Sequence, residues 1–189
     1  MINLDTQRQI AVLADQLERL RKADAGTPSG ASFPTSPTTG FLFFRTDLGF
    51  LCYYDGTRWL TTHEYVLDAD AAAVPANNTA PYEWQMRQDY NPFFTRVTAT
   101  VIVATTNNGT NFWTVRFRGL ILDRSGATTI HDFTTAADSA DGYLLKDAVP
   151  TGSQTPANDN TVQVFVTQTL APGALTIVSA SVAYRLIVT

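Results

Sequence analysis

The sequence predicts a mainly β protein in three parts: a short N-terminal coiled-coil helix, a small β-hairpin module and a C-terminal antiparallel β-sandwich of the jelly-roll kind. Three observations lead to this prediction. Apolar residues recur at coiled-coil spacing near the N-terminus. Short aromatic runs alternate with tight-turn dipeptides in residues 40–62. Alternating apolar and polar residues, with turn signals at short intervals, fill residues 82–189.

Residues 1–25 are predicted to form an oligomerising helix. Spacings of 3, 4 and 3 positions give the a/d pattern of a coiled coil to four apolar residues: Ile10, Leu13, Leu17 and Leu20. An isolated helix of this length is marginal in water, so the stripe needs a partner. Because the stripe is narrow, we expect that partner to be another copy of the chain, with docking on the chain's own β-domain as the alternative. The a and d residues leave dimer and trimer equally open.

Two segments are predicted to be linkers. Residues 26–39 are rich in Pro, Gly, Ser and Thr and show no periodicity, which is typical of an extended connection, with Phe33 as a candidate anchor on a neighbouring surface. Residues 63–81 contain an Ala run too close to Pro75 for a helix. Asp68 and Asp70 lack the Gly and distal Glu of a calcium loop, so we interpret them as solvated carboxylates.

Residues 40–62 are predicted to form a hairpin collar of three strands, 41–44, 50–54 and 57–62. Gly49, which can take a positive φ, and Asp55-Gly56 supply the two turns. The first two strands are apolar on both faces, and so small a sheet cannot hide both faces within itself. One face is expected to pack on the following domain and the other on a second copy of the chain. The predicted interface residues here are Phe41, Phe43, Tyr54 and Trp59.

The same residues carry a resemblance to a known module. The pattern P-x-x-G-x-L-F-x-x-T-D-x-G-x-L-x-x-Y-D-G-T-x-W resembles a small module of bacteriophage tail fibres and related virion appendages, over about residues 33–62. Its positions are Pro37, Gly40, Leu42, Phe43, Thr46, Asp47, Gly49, Leu51, Tyr54, Asp55, Gly56, Thr57 and Trp59. The resemblance implies a virion structural role, a module that links an oligomerising segment to a β-rich head, and usually three copies. It brings no catalytic residues.

Residues 82–189 are predicted to be β throughout. Turn signals separate the alternating segments, among them Asn107-Asn108-Gly109 and a type II turn at residues 171–174. Residues 136–160 are rich in Asp, Gly, Thr and Pro and are predicted to form long loops, with a short strand at Tyr143–Leu145 as an open alternative. The long final strand, residues 175–188, is expected to be central in the sandwich or to seal it.

Composition narrows the classes of function. Charged residues make up 16%, well below the usual quarter, so we expect part of the surface to be covered by other subunits or coated by Thr, Asn and Ser. The net charge of -4 argues against nucleic-acid binding. Neither a secretory signal nor an apolar segment of membrane-spanning length is visible, so we expect no membrane insertion. We expect the protein to be assembled in the host cytoplasm. Cys52 is the single cysteine, which excludes an intrachain disulfide and favours a buried thiol.

No catalytic, cofactor-binding or metal-binding pattern is found, so the protein is predicted not to be an enzyme and to need no cofactor. The two histidines, His63 and His131, are not framed by a nucleophile motif, and no Gly-rich phosphate loop or His/Cys cluster is present. Exposed aromatic residues of jelly rolls can bind sugars. The candidates for such a surface are Trp84, Tyr90 and Tyr143, with packing in a core or subunit interface as the favoured alternative.

Together these observations predict a non-enzymatic virion protein, a trimeric fibre or appendage on tail or capsid that mediates attachment to the host surface. Its expected partners are further copies of itself, other virion proteins and a host cell-surface glycan. A capsid decoration protein that stabilises the shell is one alternative. A monomeric carbohydrate-binding module or glycan-acting enzyme is another.

Overall fold

A computed structural model describes residues 26–69, 72–74, 81–85, 92–120, 127–138, 143–155, 161–170 and 172–189. Thirteen strands lie within them: β1 (Ser29–Gly30), β2 (Leu42–Arg45), β3 (Phe50–Tyr54), β4 (Trp59–Thr61), β5 (Tyr65–Ala69), β6 (Ala72–Val74), β7 (Pro81–Gln85), β8 (Pro92–Val103), β9 (Phe112–Leu120), β10 (Ala127–Thr134), β11 (Leu144–Ala148), β12 (Thr161–Thr169) and β13 (Leu175–Val188). The chain divides into two compact units. From here on, the collar is the first unit, whose described residues are 26–62 together with Val188–Thr189. The second unit, His63–Ile187, is called the head.

The predicted fold class, which combined a coiled-coil helix with antiparallel sheets, is wrong. The described residues are all β, and none of them forms a helix long and apolar enough to cross a membrane. The collar sheet is mixed rather than antiparallel, because β1 runs parallel to β2. The helix predicted for residues 1–25 lies outside the described residues.

The collar is a four-stranded sheet in the order β1-β2-β3-β4. Strands β2, β3 and β4 form an antiparallel meander, with Cys52 opposite both Phe43 and Thr61. Strand β1 comes from the segment predicted to be a linker. The backbone N–H of Phe44 donates to Pro28 O at 2.9 Å, and that of Thr46 donates to Gly30 O at 3.1 Å. Residues 28–30 therefore satisfy the edge of β2, which would otherwise leave unpaired backbone groups.

The head contains two antiparallel sheets. In the first, β13 lies between β8 on one side and β5 and β6 on the other, and β11 pairs with the far side of β8. The second has the order β10-β9-β12-β7. Strands β5 and β6 come from the second segment that was predicted to be a linker. Tyr65 of β5 stacks on Tyr184 of β13 with ring centroids 5.4 Å apart, which fixes β5 on the sheet.

The strand order of the head is that of a jelly roll. Strands β5 and β6 act as one interrupted strand, since both pair in the same antiparallel sense with β13. Counted this way from the start of the head, its eight strands take the orders 1-8-3-6 and 2-7-4-5 in the two sheets. The final strand is thus central in its sheet. Alternate residues of β8 and β13 are buried, as are Trp113, Val115 and Phe117 of β9, so the two sheets pack over a common apolar core.

Candidate functional site

The second turn of the collar is built by Asp55 and Gly56. Asp55 Oδ1 accepts hydrogen bonds from the backbone N–H groups of Thr57 at 2.7 Å and Arg58 at 2.8 Å. Gly56 has φ of 103°, and a Cβ at this position would lie 2.9 Å from Thr39 Oγ1. The Asp-Gly pair of the motif is therefore required by the geometry of the hairpin.

The first turn is held by a bidentate ion pair. Arg45 Nε donates to Asp47 Oδ1 and Arg45 Nη2 to Asp47 Oδ2, both at 2.9 Å. These hydrogen bonds lower the pKa of Asp47 below its usual value. Arg45 Nη1 donates to the backbone oxygen of Thr189 at 2.9 Å, and the guanidinium lies 4.6 Å from the ring centroid of Phe33. Gly49 has φ of 73°, as the turn prediction requires.

One face of the collar is an aromatic cluster that the chain covers itself. Phe33 stacks on Trp59 with centroids 4.3 Å apart and packs at 5.7 Å against Phe43. Phe41 and Tyr54 flank Trp59 at 6.2 and 5.4 Å. The remaining members of the cluster are Leu48, Phe50, Cys52 and Val188. Phe33 thus serves as the anchor that the sequence suggested, and the surface it meets is the collar itself.

The only cysteine lies in this cluster. Cys52 is fully buried, and burial raises the pKa of its thiol to about 11. A thiol with so high a pKa stays protonated at neutral pH and is a poor nucleophile. Cys52 is therefore a packing residue of the collar.

The predicted interface residues of the collar differ in their exposure to solvent. Phe43 and Trp59 are buried in the aromatic cluster, whereas Phe41 and Tyr54 are partly exposed at its margin. The opposite face of the sheet carries Leu42, which is 45% exposed, beside partly exposed apolar residues: Phe44, Leu51 and Tyr53. The predicted helix positions lie outside the described residues: Ile10, Leu13, Leu17 and Leu20.

The three predicted ligand aromatics do not converge on one described surface. Trp84 lies in β7, where it is opposite Val162. Tyr90 lies outside the described residues. Tyr143 lies immediately before β11 and is 74% exposed. Among the three, Tyr143 is the one whose side chain the structure shows in solvent.

Tyr143 begins a run of exposed residues along β11. Exposure alternates from residue 143 to residue 149, with Leu145 69% and Val149 66% exposed. Asp147 shares their face, because side chains two residues apart on a strand point the same way. On the neighbouring strand β8, Thr100 is opposite Leu145 and Thr98 is opposite Asp147. We call this surface the β11 face: Thr98, Thr100, Tyr143, Leu145, Asp147 and Val149.

An open cleft of about 220 Å³ lies at the Val149 end of the β11 face. Its lining residues are Glu64, Thr95, Arg96, Asp147, Ala148 and Val149. Arg96 Nε donates to Asp147 Oδ1 at 2.6 Å and Arg96 Nη2 to Asp147 Oδ2 at 2.5 Å. Thr95 Oγ1 donates to Glu64 Oε2 at 2.8 Å, and Arg185 Nη2 lies 3.7 Å from the same oxygen.

The charges of the cleft occur in pairs. The hydrogen bond from Arg96 lowers the pKa of Asp147, and the same interaction raises the pKa of Arg96. Both groups are therefore ionised at neutral pH. Sequence reasoning named Tyr143 but missed the Arg96–Asp147 pair. Arg96 and Asp147 are 51 residues apart in the chain, and only the β8–β11 register brings them together.

The second sheet carries another polar face. Arg116 donates to both carboxylate oxygens of Asp132 at 2.8 and 2.7 Å. Arg118 Nε donates to Gln163 Oε1 at 2.5 Å, and its guanidinium lies 4.0 Å from the ring centroid of Phe165. Burial, together with the nearby charge of Arg116, lowers the pKa of Arg118. These residues form a network of paired polar groups that runs from the half-buried Arg116–Asp132 pair to the buried Gln163.

The described residues contain no catalytic arrangement around His131. Its Nδ1 lies 3.1 Å from Thr151 Oγ1 and accepts a hydrogen bond from the Thr151 backbone N–H at 3.3 Å. Burial lowers the pKa of His131, with the charge of Asp132 acting in the opposite sense. The Asp132 carboxylate bonds Arg116 instead of the imidazole. Within the described ranges, no three His, Cys, Asp or Glu side chains are grouped to hold a metal ion.

Comparison with known proteins gives weak structural likenesses. No protein-family model matches the chain, and no curated protein sequence matches it. A xylan-binding module, CBM15, is similar with a TM-score of 0.38 and 17% identity, over 82% of this chain and 88% of that one. The coat protein of Tobacco streak virus is similar with a TM-score of 0.36 and 9% identity, over 68% of this chain and 89% of that one. The VP2 subviral particle of infectious bursal disease virus is similar with a TM-score of 0.36 and 12% identity, over 82% of this chain and 41% of that one. TM-scores below 0.5 establish neither kinship nor function.

Proposed function

We propose that the protein is a non-enzymatic structural protein of a bacteriophage virion, a homo-oligomeric appendage on the tail or capsid. The observation that carries the proposal is the collar motif. Its turn residues Asp47, Gly49, Asp55 and Gly56 hold two tight hairpins, and three of its aromatic positions, Phe43, Tyr54 and Trp59, pack in one aromatic cluster. A motif used entirely for turns and packing supports a structural part rather than a reactive site.

The number of copies in the proposed oligomer is three. This preference comes from the resemblance to trimeric virion appendages. The subunit contact that we propose is the exposed collar face around Leu42, with Phe44 and Tyr53 beside it. Phe43 and Trp59 are buried in the aromatic cluster on the opposite side of the same sheet, so their packing stabilises the sheet that carries this face.

Location on the particle tests the proposed function. Purified virions would be labelled with gold-conjugated antibody against the head and imaged by electron microscopy. We expect label at regular positions on the tail, which would identify a fibre, or over the shell, which would identify a decoration protein. Virions that carry no label, with the antigen found only in the soluble fraction of infected cells, would contradict a virion role of either kind.

A further inference from the structure

The β11 face combines an exposed aromatic ring with hydroxyl groups. Tyr143 offers a flat ring, 74% exposed, and Leu145 and Val149 extend an apolar strip along the same face. Thr98 and Thr100 of β8 lie beside that strip, and the Thr98 hydroxyl is hydrogen-bonded to that of Ser181. Sugar rings present an apolar face of C–H bonds and a rim of hydroxyl groups, so they match a surface that supplies both kinds of contact.

The cleft at the end of this face contains both hydrogen-bond donors and hydrogen-bond acceptors. Asp147 and Glu64 accept, Arg96 donates, and the Thr95 hydroxyl, which donates its hydrogen to Glu64, can accept. A vicinal pair of sugar hydroxyls requires this mixture, because each hydroxyl donates one hydrogen bond and accepts others. The two hydrogen bonds between Arg96 and Asp147 leave further lone pairs on the carboxylate and further N–H groups on the guanidinium for such hydroxyls.

Charge balance favours a neutral ligand. Arg96 is paired with Asp147, and Arg185 lies against Glu64, so the described cleft has no excess of either sign. A phosphate or sulfate would need surplus cationic groups, and a metal ion would need surplus carboxylates. A neutral polyol needs neither.

The same pairs argue against a second copy of the chain as the occupant. Covering the cleft with protein would bury both ion pairs. The free-energy cost of removing paired charges from water often exceeds the gain from their mutual attraction. The cores of protein interfaces are accordingly depleted of Asp and Glu. A hydrated sugar can instead exchange its own hydrogen bonds for those of the cleft.

We propose that the β11 face and its cleft bind a neutral oligosaccharide of a cell surface. The inference rests on the proposed function as a virion appendage, for which it names the class of receptor. Tyr143 and Asp147 are four strand positions apart, or about 13 Å. That distance exceeds one sugar ring, so the ligand has at least two linked sugars, one over Tyr143 and one at the Arg96–Asp147 pair.

An array of neutral and charged oligosaccharides, probed with the full chain, tests the proposal. We expect binding to neutral oligosaccharides of two or more sugars. Calorimetry with the best neutral oligosaccharide would then compare the wild type with Tyr143→Ala and Asp147→Asn, each of which should weaken binding at least about tenfold. Both side chains are exposed or half-buried, so the thermal transitions should match that of the wild type.

The second sheet offers a matched control. Arg116 and Asp132 form a bidentate pair like that of Arg96 and Asp147, on a different face. Arg116→Ala should leave the affinity unchanged within about twofold, whereas Arg96→Ala should reduce it at least about tenfold.

The proposal would be overturned by an array on which the chain binds nothing, by binding restricted to charged oligosaccharides, or by full affinity in both the Tyr143→Ala and Asp147→Asn variants. A loss of oligomer mass in those two variants, without sugar binding by the wild type, would assign the face to a subunit contact and overturn it too. A chain found on the virion that binds no sugar refutes this inference alone, whereas a sugar-binding chain absent from the virion refutes the proposed function.

Discussion

Gly56 shows how one residue fixes a turn of the collar. Its φ of 103° is a conformation that side-chain-bearing residues rarely adopt, and a Cβ would meet Thr39 Oγ1 at 2.9 Å. Gly56→Ala should therefore lower the free energy of unfolding by about 1–2 kcal/mol. Gly109→Ala, in a turn where a Cβ would meet nothing within 4 Å, should change it by less than about 0.5 kcal/mol. Equal losses in urea titrations of the two variants would contradict this account of the turn.

Asp47 makes the stability of the collar depend on acid. Its hydrogen bonds with Arg45 hold its pKa in the folded state below the ordinary value of 3.8. A depressed pKa stabilises the fold above the unfolded-state pKa, and the stabilisation disappears as the pH falls through the folded-state pKa. The wild type should therefore be more stable than Asp47→Asn at pH 7, and the difference should vanish in strong acid. A difference between the two that is independent of pH would show that the ion pair does not contribute.

At the scale of residues, sequence reasoning recovered what depends on neighbours in the chain. Gly49, Asp55 and Gly56 were assigned to turns because turn chemistry is local. The exposed Tyr143 was named as a ligand candidate, but the Arg96–Asp147 pair further along β11 was not. That pair depends on the register of β8 against β11, which no local pattern specifies.

At the scale of elements, the collar is completed by the last residues of the chain. Val188 packs in the aromatic cluster, and the backbone oxygen of Thr189 accepts a hydrogen bond from Arg45. Deletion of Val188–Thr189 should cost about 2–4 kcal/mol, since it removes a buried side chain and leaves a buried guanidinium short of one acceptor. Limited proteolysis should then cut within the collar before the head.

Val188→Ala in the full-length chain separates the two contributions to that loss. It retains the hydrogen bond from Arg45 and removes only the methyl groups of one buried side chain, so a smaller loss is expected. Unchanged stability and proteolysis after the deletion would show that the collar holds without these residues.

The elements that the sequence missed are those formed by distant pairing. Alternation along Val162, Val164 and Val166 revealed a half-buried strand, and all three are buried. Residues 26–39 and 63–81 looked like linkers because short strands such as β1 and β6 carry too few residues for a period. Strand β1 exists because β2 lies beside it, and β6 exists because β13 does.

At the scale of the whole molecule, the collar face around Leu42 is the proposed contact between subunits. Leu42→Asp should dissociate the oligomer and leave the thermal transition of the subunit intact, because the side chain is already half in solvent. Phe43→Asp should instead unfold the collar, since it buries a charge in the aromatic cluster. Sedimentation velocity with thermal melting separates the two outcomes.

Leu170 provides the control for that substitution. It is 70% exposed on the head and has φ of 53°, a conformation that aspartate tolerates better than leucine. Leu170→Asp should therefore change neither assembly nor stability. An oligomer that survives Leu42→Asp as well would exclude the collar face as the subunit contact.

The molar mass of the full chain in solution tests the central claim most directly. Light scattering coupled to size-exclusion chromatography, at micromolar concentration and near-neutral pH, reads the number of copies without any knowledge of the ligand or host. A homo-oligomeric virion appendage of the proposed kind predicts three times the chain mass of 20.7 kDa. A stable monomer of 20.7 kDa under the same conditions would contradict it.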